Sequence, residues 1–546
     1  MSCRMELTGR EVLLEVLRTE GVRHVFGNPG STELPFVDAL AGVDDDDIHY
    51  VLALQEATVV GMADGYALAT GRPAFVNLHS SAGLGNAVGN LTNARANGTS
   101  LVVTAGQQDE RHLADDPLLS GPLTELAAPS CKWAHEVRSL GELGTMVRRA
   151  FADAAKPPTG PTFLSLRMDL LERSGPASEV APAPKGAITG PGAAGAVGAL
   201  ATLLKSARRP AIIAGDEVAD ARAQTELADV AERLGAPVFG NPLHARAVFD
   251  PTHARWAGML PPNAAATRAA LDGHDVVLAV AGQPFMAYPY SPGSPLPDGT
   301  ELAHLSPDAT QLGRAHRTRL GLSGDVKASL VALAALLGDP VADDAETTRR
   351  KQIADLETLA ISRYGPVPMP PMAAAHALLR AIPAGTAVVD EAITTGVYVR
   401  GFHHRPVEDG YFFCKGGGLG WGMPAACGVA LARPGRPVLC IVGDGSAMYS
   451  PQALWTAARE QLPVVFAVVD NGQYRILKDY LRGMGGVSAR TGRFVGMCLE
   501  PRVDHVALAA SMGVAGTRVE ASGDIGDVVR AALDAGGPHL VHVAIT

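Results

Sequence analysis

Residues 438–474 read VLCIVGDGSAMYSPQALWTAAREQLPVVFAVVDNGQY. An apolar run, VLCIV, stops at the turn Gly443-Asp444-Gly445-Ser446. A helical stretch, ALWTAAREQ, follows, and a second apolar run, PVVFAVV, stops at Asp470-Asn471-Gly472. Two short, wholly apolar runs separated by a helix are the pattern of buried parallel strands in a βαβ unit. Asp444 and Asn471 are 471 − 444 = 27 residues apart. Each sits at the carboxyl end of its strand, where open α/β sheets bind ligands. Oxygen donors of this kind suit Mg²⁺, a hard octahedral ion that keeps water and takes phosphate oxygens. A backbone carbonyl after Asn471 would add a ligand, and Gly443 and Gly445 let the chain approach closely. One GDG turn alone is an ordinary strand end; two matched polar strand ends read as a site.

Outward from this unit the same alternation recurs. Near the amino terminus, Thr8 and Glu11 have capping-box spacing ahead of the stripe Val12, Leu13, Val16, Leu17, and Gly21 ends that helix. HYVLALQEATVVGMADGYALATG and PAFVNLHSSAGLGNAVGNLTNARANGTSLVVTAG each read strand, turn, helix. The stretch 173–195, rich in Pro, Gly and Ala, reads as a linker. Three α/β units follow from this pass: 1–172, 196–340 and 368–546. The predicted fold is α/β with three doubly wound parallel-sheet domains.

Bulk properties narrow the class. At 546 residues the chain is too long for one core, and a formal net charge of −10 argues against a general nucleic-acid or anionic-membrane binder. Six scattered cysteines form no CxxC pair, which argues against a disulfide framework or a thiolate metal site. There is no basic-then-apolar leader and no apolar run of about 18 residues, the length that spans a bilayer. The expectation is a reduced, cytoplasmic protein.

The motifs resemble those of thiamine diphosphate enzymes. GNPGSTELPF, LQEATVVGMADGYA, NLHSSAGLGNAVGNL, TAGQQ, FFCKGGGLGWGMPAA, GDGSAMYS and ALWTAA stand in the same order as in benzoylformate decarboxylases, over nearly the whole length. The resemblance implies pyrimidine-binding, central and diphosphate-binding domains, with thiamine diphosphate and Mg²⁺ as cofactors. Asp444, Asn471 and the carbonyl of Gln473 would hold the metal. Ser446, Tyr474 and Thr394 would contact the diphosphate, with Gly445 beside it. Glu56 would face N1′ of the aminopyrimidine, the Gly417 carbonyl would accept from its 4′-amino group, and Leu419 would wedge the cofactor into its bent form. Read without the family, Glu56 is an N-terminal helix charge and GGGLGWG a packed turn. His79 would be a catalytic acid/base rather than a satisfied structural histidine, and Ser31 would bind the substrate carboxylate or carbonyl. On this resemblance the turn GNPGST would face substrate rather than grip phosphate.

The implied reaction is nonoxidative decarboxylation of a 2-oxo acid to an aldehyde through an enamine. Glu56 and Asp444 would come from different subunits, so the active form would be a homodimer or homotetramer. The chain departs from the pattern in the middle domain. The family's second active-site histidine has no counterpart between Gly282 and Gly293, and Tyr288 falls nearest its place. Tyrosine, with an ordinary pKa of about 10, is the weaker acid, so a lingering enamine would favour acyloin formation. His403 and His404 read as exposed loop histidines. Ile476 and Leu477 would narrow the substrate pocket, and Leu118 and Leu119 would line its other wall. Arg475 and Lys478 read either as partners for an acidic substrate or as surface charge. The middle domain has no GxGxxG after a strand and demands no nucleotide. A carboligase of the acetolactate-synthase kind, a non-turnover regulatory paralogue and a nucleotide-dependent oxidoreductase are the alternatives.

Overall fold

The computed structural model describes residues 6–176, 190–286 and 288–546. It divides into two compact units, one of 1–185, 364–397 and 414–546, the other of 186–363 and 398–413. In the first unit, β1 (Glu6–Thr8) leads into the helix Gly9–Thr19 through the expected capping box. Thr8 Oγ1 accepts from Glu11 N, and Glu11 Oε2 accepts from Thr8 N at 2.7 Å. Strands β2 (His24–Gly27), β3 (His49–Leu52), β4 (Ala74–Leu78), β5 (Leu101–Gln107), β6 (Ala134–Glu136) and β7 (Thr162–Arg167) form a parallel sheet in the order β3-β2-β4-β5-β7-β6. β8 (Ser174–Pro176) pairs antiparallel with β1. Most of the expected linker, 177–189, lies outside the described residues, and a helix begins at Ala194.

The second unit holds β9 (Pro210–Ala214), β10 (Val238–Gly240), β11 (Trp256–Met259), β12 (Val276–Val280), β13 (Glu301–Ser306) and β14 (Leu320–Ser323), parallel in the order β11-β10-β9-β12-β13-β14. Alternate side chains bury on opposite faces. Ile212, Ala214, Leu278 and Leu305 join one core, and Ala211, Ile213, Val277 and Leu302 the other. Period-2 burial on both faces is why these strands are apolar throughout. Each such Leu, Ile or Val contributes about 1.5–3 kcal/mol.

The carboxyl-terminal part continues with β15 (Ala387–Glu391) and β16 (Tyr411–Phe413). The latter belongs to the second unit, where Phe413 N–H donates to the Ala245 carbonyl at 2.9 Å. β15, β17 (Val438–Gly443), β18 (Val464–Asp470), β19 (Ala515–Arg518) and β20 (His539–Ala544) run parallel as β15-β17-β18-β20-β19. This repeats the plan β2-β4-β5-β7-β6 of the amino-terminal sheet. The helices Glu56–Thr70 and Gly422–Ala432 pack between these two sheets at backbone contact. A Cβ on Gly65 would lie 2.2 Å from the Ala425 carbonyl oxygen, and one on Gly428 would lie 1.9 Å from that of Met62. The three parallel sheets bear out the predicted fold class. Among the described residues no helix is long and apolar enough to cross a membrane, and none of the described cysteines is in a disulfide.

Candidate active site

Strand ends of the first unit carry the predicted residues in two groups. At the amino-terminal sheet, β3 ends before Gln55, whose side-chain oxygen caps the helix Glu56–Thr70 by accepting from Thr58 N at 3.0 Å. Glu56 is thus the first helical residue and is 7% exposed. Two amides grip its carboxyl group, Asn28 Nδ2 at 3.0 Å and Asn86 Nδ2 at 2.9 Å. Asn28 lies in the turn after β2 and Asn86 on the helix Ser80–Asn97, so two strand-end segments converge on one carboxylate.

His79 stands between β4 and that helix, as its sequence context predicts. Its Nδ1 lies 2.8 Å from Glu33 Oε2 and 3.1 Å from Thr32 Oγ1, so that ring nitrogen is committed to these two neighbours. Glu33 is 1% exposed and anchored twice more by the backbone N–H groups of Gly30 (2.9 Å) and Gly106 (3.0 Å). The turn needs glycine at 30 because a Cβ there would sit 2.3 Å from the His79 ring. Ser80, next to the histidine, holds φ +45°, a left-handed conformation that costs a non-glycine residue about 1–3 kcal/mol and persists where surrounding contacts over-determine it. Ser31 is exposed beside Thr32, in the short turn Ser31–Glu33. The carbonyl of Leu119 accepts from Ser81 Oγ at 3.2 Å, so the Leu118–Leu119 loop lies over the start of the His79 helix, with Leu118 84% exposed.

The second group lies at the carboxyl-terminal sheet. Asp444 directly follows β17, and Asn471 directly follows β18. Gly472 N–H donates to both Asp444 Oδ2 and Asp470 Oδ1 at 2.9 Å, and Asn471 Oδ1 accepts from Gln473 N at 3.1 Å. Burial and the neighbouring Asp470 carboxylate push Asp444 above the usual carboxylate range. Asp470 is held low against its burial by hydrogen bonds from His542 (3.0 Å) and by Arg502 (2.5 Å). A cleft of about 500 Å³ opens here, lined by Asp444, Gly445, Asp470 and Tyr474. Ser446 is buried in the turn helix Asp444–Ala447, while Thr394 is half-buried in the loop after β15. Ile476 and Leu477, 46% and 45% exposed, open the helix Arg475–Met484.

Among the described residues no three His, Cys, Asp or Glu side chains are grouped to hold a metal. The Asp444, Asn471 and Gln473 set fits Mg²⁺ in another way. It supplies one carboxylate, one amide oxygen and one carbonyl, and leaves the other positions to phosphate and water. The raised Asp444 carboxyl, crowded by Asp470, is a charge that a divalent cation relieves.

Between these groups lies the turn Lys415–Gly422. Gly417 is exposed at φ +77° with nothing within 4 Å of a Cβ, and Leu419 is half-buried. Glu391, at the end of β15, accepts from the N–H groups of Gly420 (2.7 Å), Trp421 (3.1 Å) and Gly422 (2.8 Å), and burial raises it to about 7. Neither Glu391 nor Glu33 carries an expected role from the sequence: Glu391 ends a strand, and Glu33 lies within GNPGSTELPF, three residues after Gly30.

Two expectations need correction, those for His403 and Lys478. His403 is not an exposed loop histidine. It is 6% exposed, its ring is 5.1 Å from that of Tyr411, and burial lowers it to about 3. Lys478 is neither surface charge nor free for a substrate. It is 7% exposed and donates to Gln473 Oε1 at 2.7 Å and Cys498 Sγ at 3.1 Å, because its helix turns it inward onto Phe494. Arg475 pairs with Asp479 at 2.9 Å. Tyr288, in the second unit, is 67% exposed, and its N–H donates to the Pro262 carbonyl.

Comparison with known proteins places the chain in a family. Three family models match in order: the thiamine pyrophosphate enzyme N-terminal TPP binding domain over 7–126, the central domain over 197–333 and the C-terminal TPP binding domain over 396–543. The benzoylformate decarboxylase of Pseudomonas aeruginosa is 35% identical, over 97% of both chains. The acetolactate synthase large subunit of Parasynechococcus marenigrum is 27% identical, over 99% of this chain and 88% of that one. A solved structure of a thiamine diphosphate-dependent 4-hydroxybenzoylformate decarboxylase from Rhodococcus jostii RHA1 superposes with a TM-score of 0.88, at 32% identity over 99% of both chains. With a full-length relative at this identity and all three domain models in register, the chain belongs to the thiamine pyrophosphate enzyme family.

Proposed function

We propose that this enzyme is a thiamine diphosphate- and Mg²⁺-dependent, nonoxidative 2-oxo acid decarboxylase that releases an aldehyde. The observation that carries the reading is the Glu56 carboxyl group, buried at a helix start and gripped by Asn28 and Asn86. Two neutral donors fix its direction and leave it to exchange a proton with an aminopyrimidine nitrogen. When bound, thiamine diphosphate supplies a carbanion at thiazolium C2 and an electron sink for the carbon that loses CO₂. Asp444, Asn471 and the Gln473 carbonyl hold Mg²⁺; Thr394, Gly445, Ser446 and Tyr474 hold the diphosphate; the Gly417 carbonyl and Leu419 meet the pyrimidine side. His79 moves a proton through Nε2 while Glu33 fixes its ring from Nδ1. Ser31 binds the substrate carboxylate.

Domains 1–172, 196–340 and 368–546 take the pyrimidine-binding, central and diphosphate-binding roles. The enzyme works in the cytoplasm as a homodimer or homotetramer with each site shared between two copies. Its substrate is an aromatic 2-oxo acid of the benzoylformate kind or a smaller, branched analogue, because Ile476 and Leu477 present bulk at the start of their helix. A screen of aromatic and aliphatic 2-oxo acids for CO₂ release, with thiamine diphosphate and Mg²⁺ present, tests this. No release from any of them overturns it.

A second reading is carboligation, favoured by the absence of histidine between Gly282 and Gly293 and by the acetolactate synthase relatives. Product identification in the same screen separates free aldehyde from acyloin or 2-hydroxy-2-oxo products.

A further inference from the structure

The helix Ser80–Asn97 carries four asparagines, 86, 90, 93 and 97, at spacings of four, three and four residues. This spacing places them along one helix face. Asn90, Asn93 and Asn97 are 4%, 2% and 1% exposed. Buried amides require partners, and these find theirs at Glu56 and its neighbour Ala57, along the turn 415–418 and, for Asn97 Nδ2, at Asp64 Oδ2 (3.0 Å). Asn86 holds Glu56, and Asn90 Nδ2 donates to the carbonyl of the adjoining Ala57 at 2.7 Å. Asn93 Nδ2 donates to Asn90 Oδ1 at 2.8 Å. It also pairs twice with Gly418, accepting from its N–H and donating to its carbonyl, both at 3.0 Å. Asn97 Oδ1 accepts from Lys415 N at 3.1 Å.

The glycine pattern of the turn carries the same message independently. A Cβ on Gly416 would lie 2.5 Å from Asn93 Oδ1, and one on Gly418 would lie 2.8 Å from it, whereas nothing lies within 4 Å of a Cβ on Gly417. The glycines at 416 and 418 therefore make room for Asn93, and Gly417, between them, is the one that faces open space.

We infer that Asn93 is a positioning residue for the cofactor. From the amino-terminal domain it clamps the Gly416–Gly418 backbone, so that the Gly417 carbonyl and Leu419 are preset before thiamine diphosphate arrives. The inference rests on the function proposed above. Asn93 touches neither cofactor nor substrate in that reading; it acts through Gly418. The turn has a second anchor in Glu391, so losing Asn93 frees one side of it and leaves the sheet-side attachment in place.

The test uses the full chain and its Asn93→Ala and Asn93→Asp variants. Thiamine diphosphate is titrated with Mg²⁺ by intrinsic fluorescence, and melting temperatures are taken with and without cofactor. Asn93→Asp keeps the acceptor for Gly418 N–H but opposes a carboxylate to the Gly418 carbonyl. The expected result is a dissociation constant raised about tenfold in both variants, as for loss of one or two buried hydrogen bonds. The melting-point gain on cofactor binding shrinks with it, while circular dichroism stays native. A purely structural role would lower the cofactor-free melting temperature and leave that gain intact, which overturns the inference. Equal affinity in all three proteins overturns it, as does loss of native circular dichroism in both variants. If the unsubstituted chain itself fails to bind thiamine diphosphate, the failure lies with the proposed function, and this inference falls with it.

Discussion

The two sheets of the first unit follow one strand plan yet present opposite chemistry at their carboxyl edges. At the amino-terminal edge two buried carboxylates already have partners: Glu56 two amides, and Glu33 His79, Thr32 and two backbone N–H groups. At the carboxyl-terminal edge two carboxylates, Asp444 and Asp470, share one N–H, and among the described residues Arg502 and His542 bond Asp470 rather than Asp444. In the function proposed above, the first arrangement would hold and move protons, and the second would take a cation between its two carboxylates. The same scaffold does both because strand-end loops set the chemistry while the strands set only where those loops meet.

The contrast can be broken experimentally. Glu56→Ala, at the matched edge, should lower the rate of CO₂ release about a thousandfold. It should slow exchange of the cofactor C2 proton, read by NMR, while cofactor affinity changes far less. Asp444→Ala, at the unmatched edge, should do the reverse. Affinity for thiamine diphosphate in the presence of Mg²⁺ should fall about a hundredfold in fluorescence titration, and the remaining binding should no longer respond to Mg²⁺. If both substitutions act on affinity alone, the division of labour is wrong. Glu33→Gln sharpens the first half. It keeps shape but removes the charge beside Nδ1 of His79, and should cut turnover about tenfold with the cofactor dissociation constant unchanged.

The smallest effect concerns how the two sheets are joined away from their sites. His49 bridges Asp45 and Glu460, both at 2.8 Å, and the Glu460 hydrogen bond leads the effects that raise the imidazole to about 9 against its burial. A raised folded-state value means that its contribution is fully present below about 6.5, the unfolded value, and is lost as pH rises through about 9. Melting temperature should therefore fall between pH 7 and 10 by about 2 °C more in the unsubstituted chain than in Glu460→Gln. An equal fall in both removes the bridge from the account.

Much of this was legible from the chain alone. The apolar runs and the Gly443–Ser446 and Asp470–Gly472 turns located two strand ends to within one residue, and Thr8 with Glu11 located a helix start. Glu56 and His79 were placed correctly at the starts of their helices for the same reason: strand, turn and helix are contiguous in sequence. Glu391, Asn93 and Lys478 were not legible as they are. Glu391 meets Gly420 across 29 residues and Asn93 meets Gly418 across 325. No local pattern records such a meeting. His403 was misread because loop position suggests exposure, and only packing against Tyr411 reverses that.

Sequence by itself determined the alternation of strands and helices, the polar residues at their junctions and the family. Those follow from periodicity and turn chemistry, which act over a few residues. Tertiary structure alone decided which polar groups are paired, which carboxylate lies crowded against another, and which glycines are glycine because an asparagine from another domain comes within 3 Å of where a Cβ would be. Burial and hydrogen-bond satisfaction are properties of neighbours in space, and those neighbours exist only once the sheets have come together.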